Sequence, residues 1–168
     1  MAYENGDKEA LIQTLKARFS AVADHPEDVD LSGTPFTRVT SYTHQNDPTS
    51  IFQLYSLGNE EQELPKIAGC FWEVSVMTPG KFYPHIHDHS TAHIFMIAGR
   101  GIGYLDREPY PYDETSEFVY PAGMSHGFDV QETTIFLACL SNPIVDPETK
   151  VVDFRDDEGF EFPSMTQG

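Results

Sequence analysis

The sequence predicts an all-β chain: a closed sandwich or barrel of antiparallel strands, preceded by a single α-helix. Three observations carry this reading. Apolar, strand-like runs of four to eight residues recur from residue 36 to residue 140. Turn signals separate them, among them Thr78-Pro79-Gly80, Gly99-Arg100-Gly101 and Pro109-Tyr110-Pro111. The 168 residues, 39% hydrophobic and 12% aromatic, suit one globular core and are too few for two.

The helix is expected over residues 7 to 24, with Asp7 as N-cap and Leu11, Ile12, Leu15, Phe19 and Val22 on one face. His25-Pro26 ends it, and the acidic, turn-rich segment to Asp30 reads as a linker. Such a stripe must be buried, either on the outside of the barrel or against a second subunit in a homodimer, and the sequence does not choose. The expected strands are Phe36 to Tyr42, Ile51 to Leu57, Cys70 to Met77, Phe82 to His87, His93 to Ala98, Gly101 to Leu105, Glu117 to Tyr120, His126 to Val130 and Thr133 to Leu140. The organisation is therefore a helix and linker over 1–30, a barrel over 31–145 and an acidic extension over 146–168 that could run along the barrel surface.

Composition narrows the function classes. A net charge of -17 with ten Lys and Arg argues against nucleic acid and anionic membranes as partners. No run of 18 apolar residues occurs, and the first residues lack the order of a secretion signal, so a cytoplasmic location is expected. Cys70 and Cys139 lie in apolar, strand-like runs, where buried reduced thiols are expected rather than a disulfide. Gly99-Arg100-Gly101-Ile102-Gly103 is no phosphate loop, because a strand-like run follows it where a helix N-terminus is needed; a hairpin is the expectation.

The chemistry concentrates in Pro84-His85-Ile86-His87-Asp88-His89-Ser90-Thr91-Ala92-His93, which holds four of the seven histidines. On a strand, His85 and His87 leave the same face and can meet one ion. An open metal site needs about three protein ligands, so a third comes from further along. The two candidates are His93, opening the run Ile94-Phe95-Met96-Ile97, and His126 in Pro121-Ala122-Gly123-Met124-Ser125-His126.

With these residues in view, the chain resembles the cupin family. That family's first motif is G-x5-H-x-H-x3,4-E-x6-G, and Gly80 leads to His85-Ile86-His87 with a spacer one residue short. The second, G-x5-P-x-G-x-x-H-x3-N, survives as Pro121 to His126, with Thr115 and Val130 at the positions of its glycine and asparagine. No Glu lies between His87 and Gly99, and the resemblance, carried over with a turn shortened by one residue, puts His93 in the glutamate's place. It thus implies a ligand set of His85, His87, His93 and His126. A three-histidine set of His85, His87 and His126, and one in which His89 substitutes, stay open. The fold it implies is the antiparallel jelly roll.

Alternation gives a provisional pocket: Phe95 and Ile97 share a face with His93, Phe128 shares one with His126, and Tyr83, Glu73, Met77 and Tyr104 are further wall candidates. Neutral imidazoles leave a divalent ion its full charge, which suits an enolate, phenolate or carboxylate. The overall negative charge opposes this only at long range, because it is screened beyond roughly 8 Å. The resemblance implies one divalent transition metal, Fe(II) first and Zn, Mn or Ni otherwise, and a small organic substrate. The first functional expectation is a non-haem Fe(II) dioxygenase, with O2 as co-substrate. The second is a non-redox isomerase, cyclase or lyase, and the third a non-catalytic small-molecule-binding protein. A faint likeness of residues 48 to 99 to cupin-type phosphosugar isomerases lacks basic anchors: residues 71 to 128 hold only Lys81, Arg100 and Arg107 against seven carboxylates.

Overall fold

The computed structural model describes residues 5–163 apart from 35, 45–46, 57–65, 68, 145, 147 and 150, with the backbone alone for 5–7 and for the strands between 37 and 67. The elements are α1 (Asn5–Ala21), a 3-10 turn (Pro26–Asp28), β1 (Thr37–His44), β2 (Asp47–Ser56), β3 (Lys66–Ile67), β4 (Cys70–Met77), β5 (Gly80–Ile86), β6 (Ala92–Ala98), β7 (Gly101–Leu105), β8 (Glu108–Tyr112), β9 (Glu117–Tyr120), β10 (His126–Val130), β11 (Thr134–Leu140) and β12 (Arg155–Asp156). They form two antiparallel sheets, the first in the order β1-β2-β4-β11-β6-β9 with β3 on β4, the second in the order β12-β5-β10-β7-β8. This is the expected jelly roll with one N-terminal helix.

Two cores flank the first sheet, because alternate residues of its strands point to opposite faces. Trp72, Val74, Val76, Phe95, Ile97, Ile135 and Leu137 face outward, where Leu11, Ile12, Leu15 and Phe19 of α1 cover them. The helix stripe is thus buried on the chain's own sheet. The inward face carries Met77, Ala92, Ile94, Met96, Tyr120, Phe136, Ala138 and Leu140, which meet Phe82, Phe128, Val130 and Tyr112 of the second sheet.

Several sequence expectations need correction. The helix begins at Asn5 and ends at Ala21, so Asp7 lies inside its first turn rather than capping it. Pro109-Tyr110-Pro111 is not a turn but part of β8. That strand is at the sheet edge, and its register sets Tyr110 and Tyr112 opposite Gly103 and Gly101. The prolines, which lack an N–H, are tolerated there. A Cβ at Gly103 would lie 2.2 Å from the Tyr110 ring, so the glycine makes room for the tyrosine. Gly99-Arg100-Gly101 is a crossover, not a hairpin, since β6 and β7 belong to different sheets. Gly99 has φ +90°, and a Cβ there would lie 2.4 Å from the carbonyl oxygen of Thr133. Finally, Cys70 and Cys139 form a disulfide between the neighbouring strands β4 and β11. Register across the sheet brings them together over 69 residues of sequence, which spacing along the chain does not reveal.

Candidate metal centre

β5 and β10 are neighbours, with His85 opposite His126 and Phe82 opposite Phe128. Between these pairs two residues of β5, Tyr83 and Pro84, stand opposite one of β10, Gly127, so a bulge there turns both Phe82 and His85 inward. Gly127 accommodates the bulge, because a Cβ there would lie 2.8 Å from the Phe82 carbonyl oxygen and from the Pro84 backbone. His87 follows just beyond the end of β5.

The result is a cluster of three buried histidines, His85, His87 and His126, whose ligand atoms lie within 4.8 Å of one another. Nδ1–H of His126 donates to the carbonyl of Met124 (3.1 Å), that of His85 to Tyr83 (3.4 Å) and that of His87 to Asp153. A carbonyl only accepts, so each Nδ1 carries the proton and each Nε2 keeps its lone pair. Burial, and after it the neighbouring His87, pushes His126 down to about 4; burial lowers His87 too, against the Asp153 carbonyl. Burial thus favours the neutral form of His87 and His126, the form that binds a metal. Three converging imidazole nitrogens fit a divalent first-row ion such as Zn, Fe, Ni or Cu, with positions left over for other ligands.

His93 is not with them. Its Nε2 meets Glu117 Oε1 at 2.5 Å, its side chain is 34% exposed, and its ring stacks on Phe95 at 4.3 Å. His93, Phe95 and Ile97 do share a face, but it is the outer one beneath α1. Its neighbour Ala92 is the residue that points inward. Among the described residues the cluster therefore holds three of the four expected histidines. His89 is exposed and outside the cluster. Tyr83 points away from the interior, its ring edge-on to Phe162. Phe128 lies inside, 2% exposed, between Tyr112, Tyr120 and Phe136.

The acidic extension builds the rim of the site. β12 pairs with β5 at Ile86 and His85. Asp153 accepts backbone N–H groups from Asp88, His89 and Ser90 through its carboxylate, while its carbonyl holds His87. Phe154 stacks on His85 (4.6 Å), and Tyr120 stacks on His126 (4.6 Å) with its hydroxyl on that of Tyr110. Sequence reading missed Asp153, Phe154 and Tyr120. Tyr120 ends a strand just ahead of the second motif, a usable signal; for Asp153 and Phe154 there is none but the contact itself.

No protein-family profile matches the sequence, and no curated protein matches it. Solved structures do. A predicted oxalate decarboxylase from Thermotoga maritima is 17% identical, with 61% of this chain and 91% of that one covered and a TM-score of 0.47. A putative sugar phosphate isomerase from Acidithiobacillus ferrooxidans is 18% identical, covering 62% and 67%, at 0.48. The cupin domain of Schizosaccharomyces pombe Cnp3 is 13% identical, covering 68% and 73%, at 0.48. Each is a likeness of fold.

Proposed function

We propose that the protein is a mononuclear metal enzyme of cupin type that acts on a small organic substrate. One observation carries the reading: three buried imidazoles whose ligand atoms converge within 4.8 Å, each with Nδ1–H tied to a backbone carbonyl. His85, His87 and His126 would hold the metal, and an ion so held supplies Lewis acidity or, as Fe(II), redox chemistry. With no carboxylate ligand the centre keeps its positive charge and favours an oxygen anion. Phe128 and Tyr120 form apolar walls on the inner side, and Phe154 limits water from the rim.

A non-haem Fe(II) dioxygenase is the first form of this proposal, since a metal held by three neutral histidine ligands keeps room for an organic anion and O2 together. A non-redox isomerase, cyclase or lyase is the second, favoured by the buried carboxyl of Glu73, a group suited to moving protons. Elemental analysis after reconstitution with Fe, Mn, Ni and Zn tests the shared core, with about one ion per chain expected. A stoichiometry near zero for all four overturns it. Oxygen uptake by the Fe(II) form with diketones and phenols then separates the two, and its absence with every such compound removes the dioxygenase.

A further inference from the structure

We infer that Glu73 is the proton acceptor of the three-histidine site, taking the proton of a weakly acidic enol or phenol as the substrate enters as its oxygen anion. The inference rests on the metal-centre reading above and adds to it a catalytic group and a substrate class.

The position of Glu73 follows from register. On β4, Trp72, Val74 and Val76 lie under the helix, so Phe71, Glu73, Ser75 and Met77 point into the sandwich. Across the first sheet Glu73 pairs with Ala138, which pairs with Ile94. The next row toward one end is Phe71, Leu140, Ala92 and Tyr120, and Tyr120 stacks on His126. The next row toward the other end is Ser75, Phe136 and Met96, and Phe136 stacks on Phe128 at 5.9 Å. His126 and Phe128 are two residues apart on β10, so the row of Glu73 lies at the depth of the site.

The facing strand is settled the same way. The Phe128–Phe136 contact sets β10 across from β11, and β2 packs against β5 at the barrel's edge. The neighbour of β10 that carries His85 therefore faces the neighbour of β11 that carries Glu73. Ala138 and Ala92 are the small residues on the way.

Chemistry agrees with position. Glu73 is 8% exposed, and no hydrogen-bond donor or cation among the described residues partners it. Burial alone pushes its carboxyl up to about 7. Ser75 Oγ on the same face is buried without a hydrogen-bond partner, a second polar atom in an otherwise apolar wall. Among the described residues, the titratable groups sharing this interior are His85 on β5, His126 on β10, His87 beyond β5, Tyr120 on β9, and Tyr110 and Tyr112 on β8. On β2, the residue paired with Glu73 is Ser56. None of the named groups is a permanent cation, so among the described residues burial alone sets the Glu73 carboxyl, and its ionised form can take up a proton near neutral pH.

In the step, the substrate O–H bond breaks, its electron pair stays on the substrate oxygen, and the proton forms the O–H bond of the Glu73 carboxylic acid. No oxidant or co-reactant is required.

The test uses the zinc-loaded full chain, which does no redox chemistry, with catechol as probe. Calorimetry in two buffers of different ionisation enthalpy counts protons released per catechol bound. Zinc-bound water displaced by catechol also changes protonation across this range, so the count is read as the difference between wild type and Glu73→Gln at one pH. Wild type is expected to release about one proton fewer than Glu73→Gln at about pH 8, with the difference shrinking as pH falls, and the variant to bind catechol about tenfold more weakly at the higher pH with zinc content unchanged. Equal counts in the two proteins overturn the role of Glu73 alone. Should Glu73→Gln not fold, Glu73→Ala is compared in the same way, and a count equal to that of wild type overturns it. Wild type that holds no zinc, or holds zinc but no catechol, overturns the site reading and this proposal together.

Discussion

At the scale of single residues, the site depends on which face of a strand a histidine occupies. His126 donates Nδ1–H to Met124, stacks on Tyr120 and points at His85 and His87. His126→Ala should weaken metal binding about tenfold or more, as removal of a ligand or its support does. His93→Ala removes only a half-exposed contact with Glu117 on the outer face and should leave metal affinity unchanged. Metal titration of both variants with a chelator competitor checks this, and a loss in His93→Ala equal to that in His126→Ala would restore the fourth ligand. The same alternation sends Phe95 and Ile97 under α1 and turns Glu73 toward the interior.

At the scale of elements, the strap that ends in β12 fixes the rim. The Asp153 carboxylate receives the N–H groups of Asp88, His89 and Ser90 at 2.7, 3.0 and 3.0 Å, and Arg155 forms an ion pair with Asp88. The ion pair is exposed and contributes little. The three N–H bonds matter more, because they shape the turn that directly follows His87. Asp153→Ala should cost about 1–3 kcal/mol of stability. It should also weaken metal binding by about 10-fold through the loosened His87. Urea melts and metal titration read the two effects separately. Arg155→Ala should change either one much less. This coupling joins Asp153 to the turn after His87 across 65 residues of sequence.

At the scale of the whole molecule, the buried groups set how stability responds to pH. Glu73 is raised above its unfolded value, so its protonated form stabilises the fold below the unfolded value of 4.5, and that stability is lost as pH rises toward about 7. His126 is depressed to about 4, so its contribution is present above the unfolded value of 6.5 and is lost as pH falls from there. The two trends oppose each other between those limits. Metal-free Glu73→Gln should therefore be more stable than wild type by about 3 kcal/mol above pH 7, on the order of 1.4 kcal/mol per pKa unit. The gap should narrow as pH falls toward 5. Urea denaturation across that range checks it, and a gap that widens on acidification would mean that Glu73 is paired.

The sequence by itself determined the elements that periodicity and short motifs encode. Six of the strands and the helix stripe sit where alternation and turn residues put them, and His85, His87 and His126 follow from H-x-H and P-x-G-x-x-H. It also showed that no glutamate ligand is available between His87 and Gly99. It did not place the histidine that follows, because one residue of slip exchanges the two faces of a strand, and only the packed sheet shows that Ala92 faces in and His93 out. Contacts between distant segments were equally hidden: the Cys70–Cys139 bridge, the stacking of Phe154 on His85, and the row that sets Glu73 opposite β5. Local pattern reports which side chains share a face, whereas which face meets the core is decided by what packs against it, and that is a property of the folded chain alone.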